Sequence, residues 1–100
     1  MLSTQAVNAN HSAPAASASA ATILAENGRR VGFSITNGGS TDLYVLVDNT
    51  DTVPTVSTSA YTVKIAAAGY WECPFNFQGA VKGVWSGSPT GNAQITEFTN

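Results

Sequence analysis

The chain predicts an all-β fold, a small antiparallel β-sandwich or jelly-roll-like domain of six to seven strands with an extended N-terminal arm. Three observations carry that expectation. From Arg30 onward, apolar residues recur at every second position in short runs, the period of a half-buried strand. Turn-forming Gly, Asn, Ser and Pro separate these runs at roughly ten-residue spacing, and no segment has a convincing helical period. Met1 to Ala25 carries no Asp, Glu, Lys or Arg, and such an Ala-, Ser-, Thr- and Asn-rich stretch has too little apolar bulk to fold alone.

The elements follow in order. Residues 1–16 have neither helical nor strand periodicity, and Asn8, Asn10, Ser12 and Pro14 interrupt any helix, so they read as an extended arm ahead of a domain spanning 17–100. In Ala15 to Ala25 the alanines favour a helix, whereas Ser17, Ser19, Thr22 and the pair Ile23-Leu24 suit an edge strand, which is the reading adopted. After the Glu26-Asn27-Gly28 turn, Val31, Phe33 and Ile35 share one face of a strand and Arg30, Gly32, Ser34 and Thr36 the other. Asn37-Gly38-Gly39-Ser40 reads as the next turn. In the strand that follows, Leu43, Val45 and Val47 oppose Tyr44 and Leu46.

Asp48 to Ser59 is polar and contains Pro54, so it reads as a loop or ragged edge. Tyr61, Val63 and Ile65 then oppose Thr62 and Lys64, with a corner at Ala66-Ala67-Ala68-Gly69. Parity places Trp71 and Cys73 inward and Tyr70 outward beside Glu72. In Ala80 to Trp85 it places Val81, Gly83 and Trp85 inward and Lys82 outward with Ala80 and Val84. In the last strand, Asn92 to Phe98, either Glu97 or Phe98 breaks the alternation, which calls for a bulge or a partner contact.

Composition narrows the function. One hundred residues support one domain. Charged residues form 10% of the chain, against about 25% in ordinary soluble proteins, so the surface is neutral and hydroxyl-rich. Arg29, Arg30, Lys64 and Lys82 are too few and too scattered to neutralise duplex phosphates, so no nucleic-acid partner is expected. A formal charge of −2 gives little long-range steering and favours short-range contact. Cys73 is the sole cysteine, which excludes an intrachain disulfide. Neither a signal peptide nor a membrane span is expected, and synthesis in a cytoplasm follows from that reading.

Chemistry is hard to place on these residues. His11, the one histidine, stands in the arm without a rigid scaffold to orient it towards a nucleophile. Cys73 has no domain histidine to activate it. Asp48-Asn49-Thr50-Asp51 gathers oxygen ligands, but it lacks EF-hand spacing and a bidentate Glu, so a turn is preferred to calcium. The nine glycines serve turns rather than a phosphate loop. Neither catalytic residues nor a cofactor nor a metal is expected.

The run Arg30-x-Gly32-x-x-Ile35-x-Asn37, then Leu43-Tyr44-Val45, Tyr61-x-Val63-Lys64-Ile65, Gly69-Tyr70-x-Glu72-x-Pro74, Gly79-x-Val81, Trp85 and Ile95-Thr96-Glu97-Phe98 resembles small β-sandwich virion proteins of tailed bacteriophages, especially capsid decoration or cement proteins. The resemblance implies a non-enzymatic protein on the outer capsid surface. It implies a symmetric oligomer, commonly a homotrimer, that binds the major capsid protein and braces the shell. The alternative is a carbohydrate-binding or adhesin-like sandwich of a head fibre or tail accessory. For the oligomer or capsid interface the expected residues are Leu2, Thr4 and Val7 of the arm with Tyr44, Leu46, Tyr70 and Phe98. Burying four such side chains contributes about 6 to 12 kcal/mol, against association costs of about 4 to 15 kcal/mol, so several copies must act together.

Overall fold

A computed structural model describes residues 6–50 and 53–100. Among the described residues eight strands form: β1 (Asn8–Ser12), β2 (Ala21–Leu24), β3 (Arg30–Gly39), β4 (Leu43–Val47), β5 (Val63–Ile65), β6 (Tyr70–Glu72), β7 (Val81–Trp85) and β8 (Gly91–Thr99). One sheet has the order β1-β8-β3-β6 and the other β2-β7-β4-β5. Every pairing is antiparallel. β1 pairs with β8, β2 with β7, β3 with β6 and β4 with β5, so the chain is a doubled ribbon wrapped into a jelly roll.

The sandwich is held by the alternation that the sequence displays. Phe33, Ile35, Ala93 and Ile95 from the first sheet meet Leu43, Val45, Ile65, Val81 and Trp85 from the second, each at most 4% exposed. β2 is indeed a strand, at the edge of the second sheet. The strand count of six to seven is corrected to eight. The additional one is β1, which lies within the segment read as an arm. Residues 8–12 are extended, as expected, but they pair along β8. Alternation gave no sign of this because all five side chains of β1 are exposed.

Two polar side chains tie opposite ends of β3, seven residues and roughly 20 Å apart. Arg30 was placed on the outward face, yet it is fully buried. The register between β3 and β8 slips between Arg30 and Gly32, and this bulge turns both Arg30 and Val31 inward. Arg30 Nε donates to Glu97 Oε2 at 2.8 Å, Nη1 to the carbonyls of Phe77 (3.1 Å) and Gly79 (2.8 Å), and Nη2 to that of Ala25. Glu97 keeps the inward parity of Ala93 and Ile95, opposite Phe33, and Arg30 meets its charge there; β8 itself has no bulge at Glu97 or Phe98, the slip lying on β3 beyond them.

Asn37 ties the other end. Its Nδ2 donates to the carbonyls of Thr41 and Ile65, both at 2.9 Å, and its Oδ1 accepts from Gly39 N at 3.0 Å and Trp85 Nε1 at 2.9 Å. All four hydrogen-bonding positions of the amide are filled. The turn expected at residues 37–40 is displaced, because β3 continues to Gly39 in register with Gly91. A Cβ on Gly38 would come within 2.4 Å of the Asn92 carbonyl oxygen, so glycine serves close strand approach there rather than a turn.

Lys82 was expected in solvent, but it is 4% exposed. The loop after β4 folds back over the outer face of the second sheet, where Lys82 Nζ donates to the Asp48 carbonyl at 3.0 Å. In the same loop Val56 is 3% exposed and borders a surface groove with Val84. At the 66–69 corner, Gly69 N donates to Ala66 O at 2.7 Å and Ala68 takes a left-handed φ of 66°.

Candidate functional site

The flank between β5 and β6 is the candidate contact surface. Each of these edge strands has three residues, too short to close the sandwich on that side. The sheets part there around a groove of about 360 Å³ lined by Val47, Thr62, Val63, Trp71, Cys73, Pro74 and Phe75. Cys73 N still donates to Phe33 O at 3.1 Å, continuing the β6 ladder, and then Pro74 supplies no donor and the chain leaves the sheet. Phe77 N reaches Phe75 O at 2.9 Å. That three-residue turn sends Phe77 towards the core and Phe75 outward. Phe77 packs on the core cluster, whereas Phe75 is 72% exposed.

Trp71 bridges the two environments. It packs edge-on against Phe33, ring centroids 5.8 Å apart, as expected of a core residue, and it also lines the open groove. Trp85 is enclosed, with its indole N–H on Asn37. Cys73 is buried, its Sγ 3.3 Å from the Phe75 carbonyl oxygen. Burial pushes the thiol above its ordinary value, so it is protonated at neutral pH and a poor nucleophile.

The expected interface residues do not form one patch. Tyr44 and Leu46 are half-buried on the outer face of the second sheet. There Tyr44 packs edge-on against Tyr61 at 5.0 Å and lies 6.0 Å below Lys64 Nζ. Tyr70 and Phe98 lie on the outer face of the first sheet, on the other side of the molecule. Tyr70 is opposite Thr36, and Phe98 is opposite Gly32 on one side and Ala9 on the other. Tyr70 and Val7 are 62% and 74% exposed, and Phe98 is half-buried. Leu2 and Thr4 lie outside the described residues. Sequence parity missed Phe75 because it assigns faces only within a ladder. The signal that was present is Pro74, which ends the ladder one residue earlier.

The other polar candidates have structural partners. His11 sits on β1 with Nε2 2.6 Å from Gln94 Oε1. Asp48 Oδ1 accepts from Thr50 Oγ1 at 2.7 Å and Thr50 N at 2.9 Å, the turn preferred over a calcium loop. Those two bonds hold its carboxyl below the usual carboxylate range. Asp51 lies outside the described residues.

The fold and flank define a jelly-roll domain with an apolar side. No protein-family model and no curated protein matches the chain. A solved structure described as "Bacillus endospore appendages form a novel family of disulfide-linked pili" is similar, with a TM-score of 0.56 and 13% sequence identity over 92% of this chain and 85% of that one. At that identity the likeness is one of fold.

Proposed function

We propose that this protein is a non-enzymatic structural subunit of a tailed-bacteriophage virion, a decoration or cement protein that binds the outer capsid lattice as a homo-oligomer and stabilises the shell. The carrying observation is the β5–β6 flank, where a backbone turn holds Phe75 in solvent beside an apolar groove. A phenyl ring left exposed withholds about 1.5–3 kcal/mol that contact with a partner recovers. Repeated over the copies of an oligomer, that modest gain becomes firm attachment. The strand and turn residues that resemble virion decoration proteins support the same reading. So does the architecture, since jelly rolls build viral capsid and lectin domains.

The similar appendage structure supports an assembling role for such a sandwich and separates two ways of assembling. A disulfide-linked pilus needs covalent links in two directions from each subunit, whereas Cys73 is the sole cysteine here. Disulfides could couple two copies at most, so assembly of this chain rests on noncovalent contact. Trp71, open to the groove on one side, favours the second reading, a carbohydrate-binding module whose ring stacks on a sugar.

The test mixes purified protein with shells of the encoding phage that lack it and measures retention by cosedimentation. Wild-type protein is expected to saturate the shells, and Phe75→Ser to bind at least tenfold more weakly with an unchanged circular dichroism spectrum. Binding unaffected by Phe75→Ser rejects the flank, and no binding by the wild type rejects the virion role. A saturable change in tryptophan fluorescence with a glycan supports the carbohydrate reading instead.

A further inference from the structure

We infer that β1 pairs with β1 of a second copy across a twofold axis, joining two first sheets into one continuous eight-stranded sheet. The inference rests on strand geometry and does not depend on the virion role. β1 is an outer strand of its sheet. Ala93 N donates to Pro14 O and Ala16 N to Gly91 O. Hydrogen-bonded pairs alternate along an antiparallel ladder, and the register Asn10↔Glu97 and Ser12↔Ile95 continues the same series. Asn10 and Ser12 thus bond to β8, while Ala9 and His11 turn their backbone N–H and C=O groups away from it.

Those outward groups, two donors and two acceptors, match themselves under twofold symmetry. Placing Asn10 on the axis sets Ala9 against His11 of the second copy and His11 against Ala9 of the second copy. Each of these pairs exchanges two backbone hydrogen bonds, so all four groups on each strand are used. The two Asn10 residues meet in the close, non-hydrogen-bonded position, where their side-chain amides can exchange bonds as well. No charge faces a like charge, because Asn8 to Ser12 contains no Asp, Glu, Lys or Arg.

The other free edges carry the guards that proteins place against such pairing. β2 has a register slip between Thr22 and Leu24. β5 has three residues with Lys64 at the centre, which self-pairing would set against a second Lys64. β6 has three residues and ends in Glu72. β1 has five residues without charge, proline or bulge.

Light scattering and sedimentation equilibrium over a concentration series test the pairing. The wild type is expected to be a dimer or an even multiple, and Ala9→Pro, which removes one outward N–H and no bond to β8, to weaken dimerisation at least tenfold while its thermal midpoint matches the wild type at dilutions where both are monomeric. Amide exchange on the wild type provides a readout independent of folding by the variant. The N–H groups of Ala9 and His11 should gain protection as concentration rises. A wild type that is monomeric at millimolar concentration, a closed trimer, or concentration-independent exchange at both amides overturns the pairing.

Discussion

Replacing Arg30 with Ala should be among the most damaging single changes in the molecule. The guanidinium is fully buried, lies 5.6 Å from the Phe33 ring centroid and bonds to four groups: Glu97 and the carbonyls of Ala25, Phe77 and Gly79. The Glu97 side chain is 12% exposed, so removing its partner leaves a nearly buried carboxylate and three carbonyls without their donor. Breaking a buried pair from one side costs about 3–5 kcal/mol, and leftover carbonyls and the vacated volume push the value to the upper part of that range. For a domain of this size, with a urea dependence of about 1–1.5 kcal/mol per molar, a loss of about 4 kcal/mol lowers the unfolding midpoint by about 3 M. Urea titration followed by tryptophan fluorescence reads this directly. The double replacement Arg30→Met with Glu97→Leu should cost less than Arg30→Ala, because no charge is left uncompensated. A midpoint shift below about 0.5 M for Arg30→Ala would refute the view of Arg30 as the tie between β3, β8 and the loops at that end.

Three further outcomes follow from particular residues. Asn37→Asp turns the amide's two donors into an oxygen facing the Thr41 and Ile65 carbonyls, so it should destabilise the fold by about 2–4 kcal/mol in the same titration. Ala68→Gly should raise the thermal midpoint by roughly 2–6 °C, because the left-handed φ of 66° costs Ala about 1–2 kcal/mol and glycine gives back about 0.5–1 kcal/mol in chain entropy. The raised pKa of Cys73 means that its thiol's contribution to stability is present below the ordinary thiol value of about 8.5 and is lost as pH rises past it towards the folded-state value. Cys73→Ala should therefore flatten the alkaline fall in stability measured between pH 7 and 10.

Much of the fold was legible because one physical signal dominated. Where a strand sets apolar residues on one face against polar ones on the other, alternation identified it, as with Phe33 and Ile35 against Ser34 and Thr36. β1 failed that test because both of its faces are exposed and its pairing to β8 uses backbone groups common to every sequence. Arg30 and Lys82 failed for a different reason: charge predicts exposure until a bulge or a covering loop supplies partners. For Tyr44, Leu46, Tyr70 and Phe98 the sequence offers only parity, which says whether a side chain points out but not from which sheet. Tyr44 and Tyr70 consequently fell on opposite sides of the molecule. Phe75 lies beyond the end of a ladder, where parity has no meaning.

Reconstruction of the intact particle made by the encoding genome, compared with particles from which this gene has been deleted, addresses the virion role most directly. Jelly-roll density on the outer capsid surface, repeated with the lattice and missing from the deletion particle, is the expected result. Identical capsid surfaces with and without the gene, or density confined to a fibre or the tail, would contradict a decoration role.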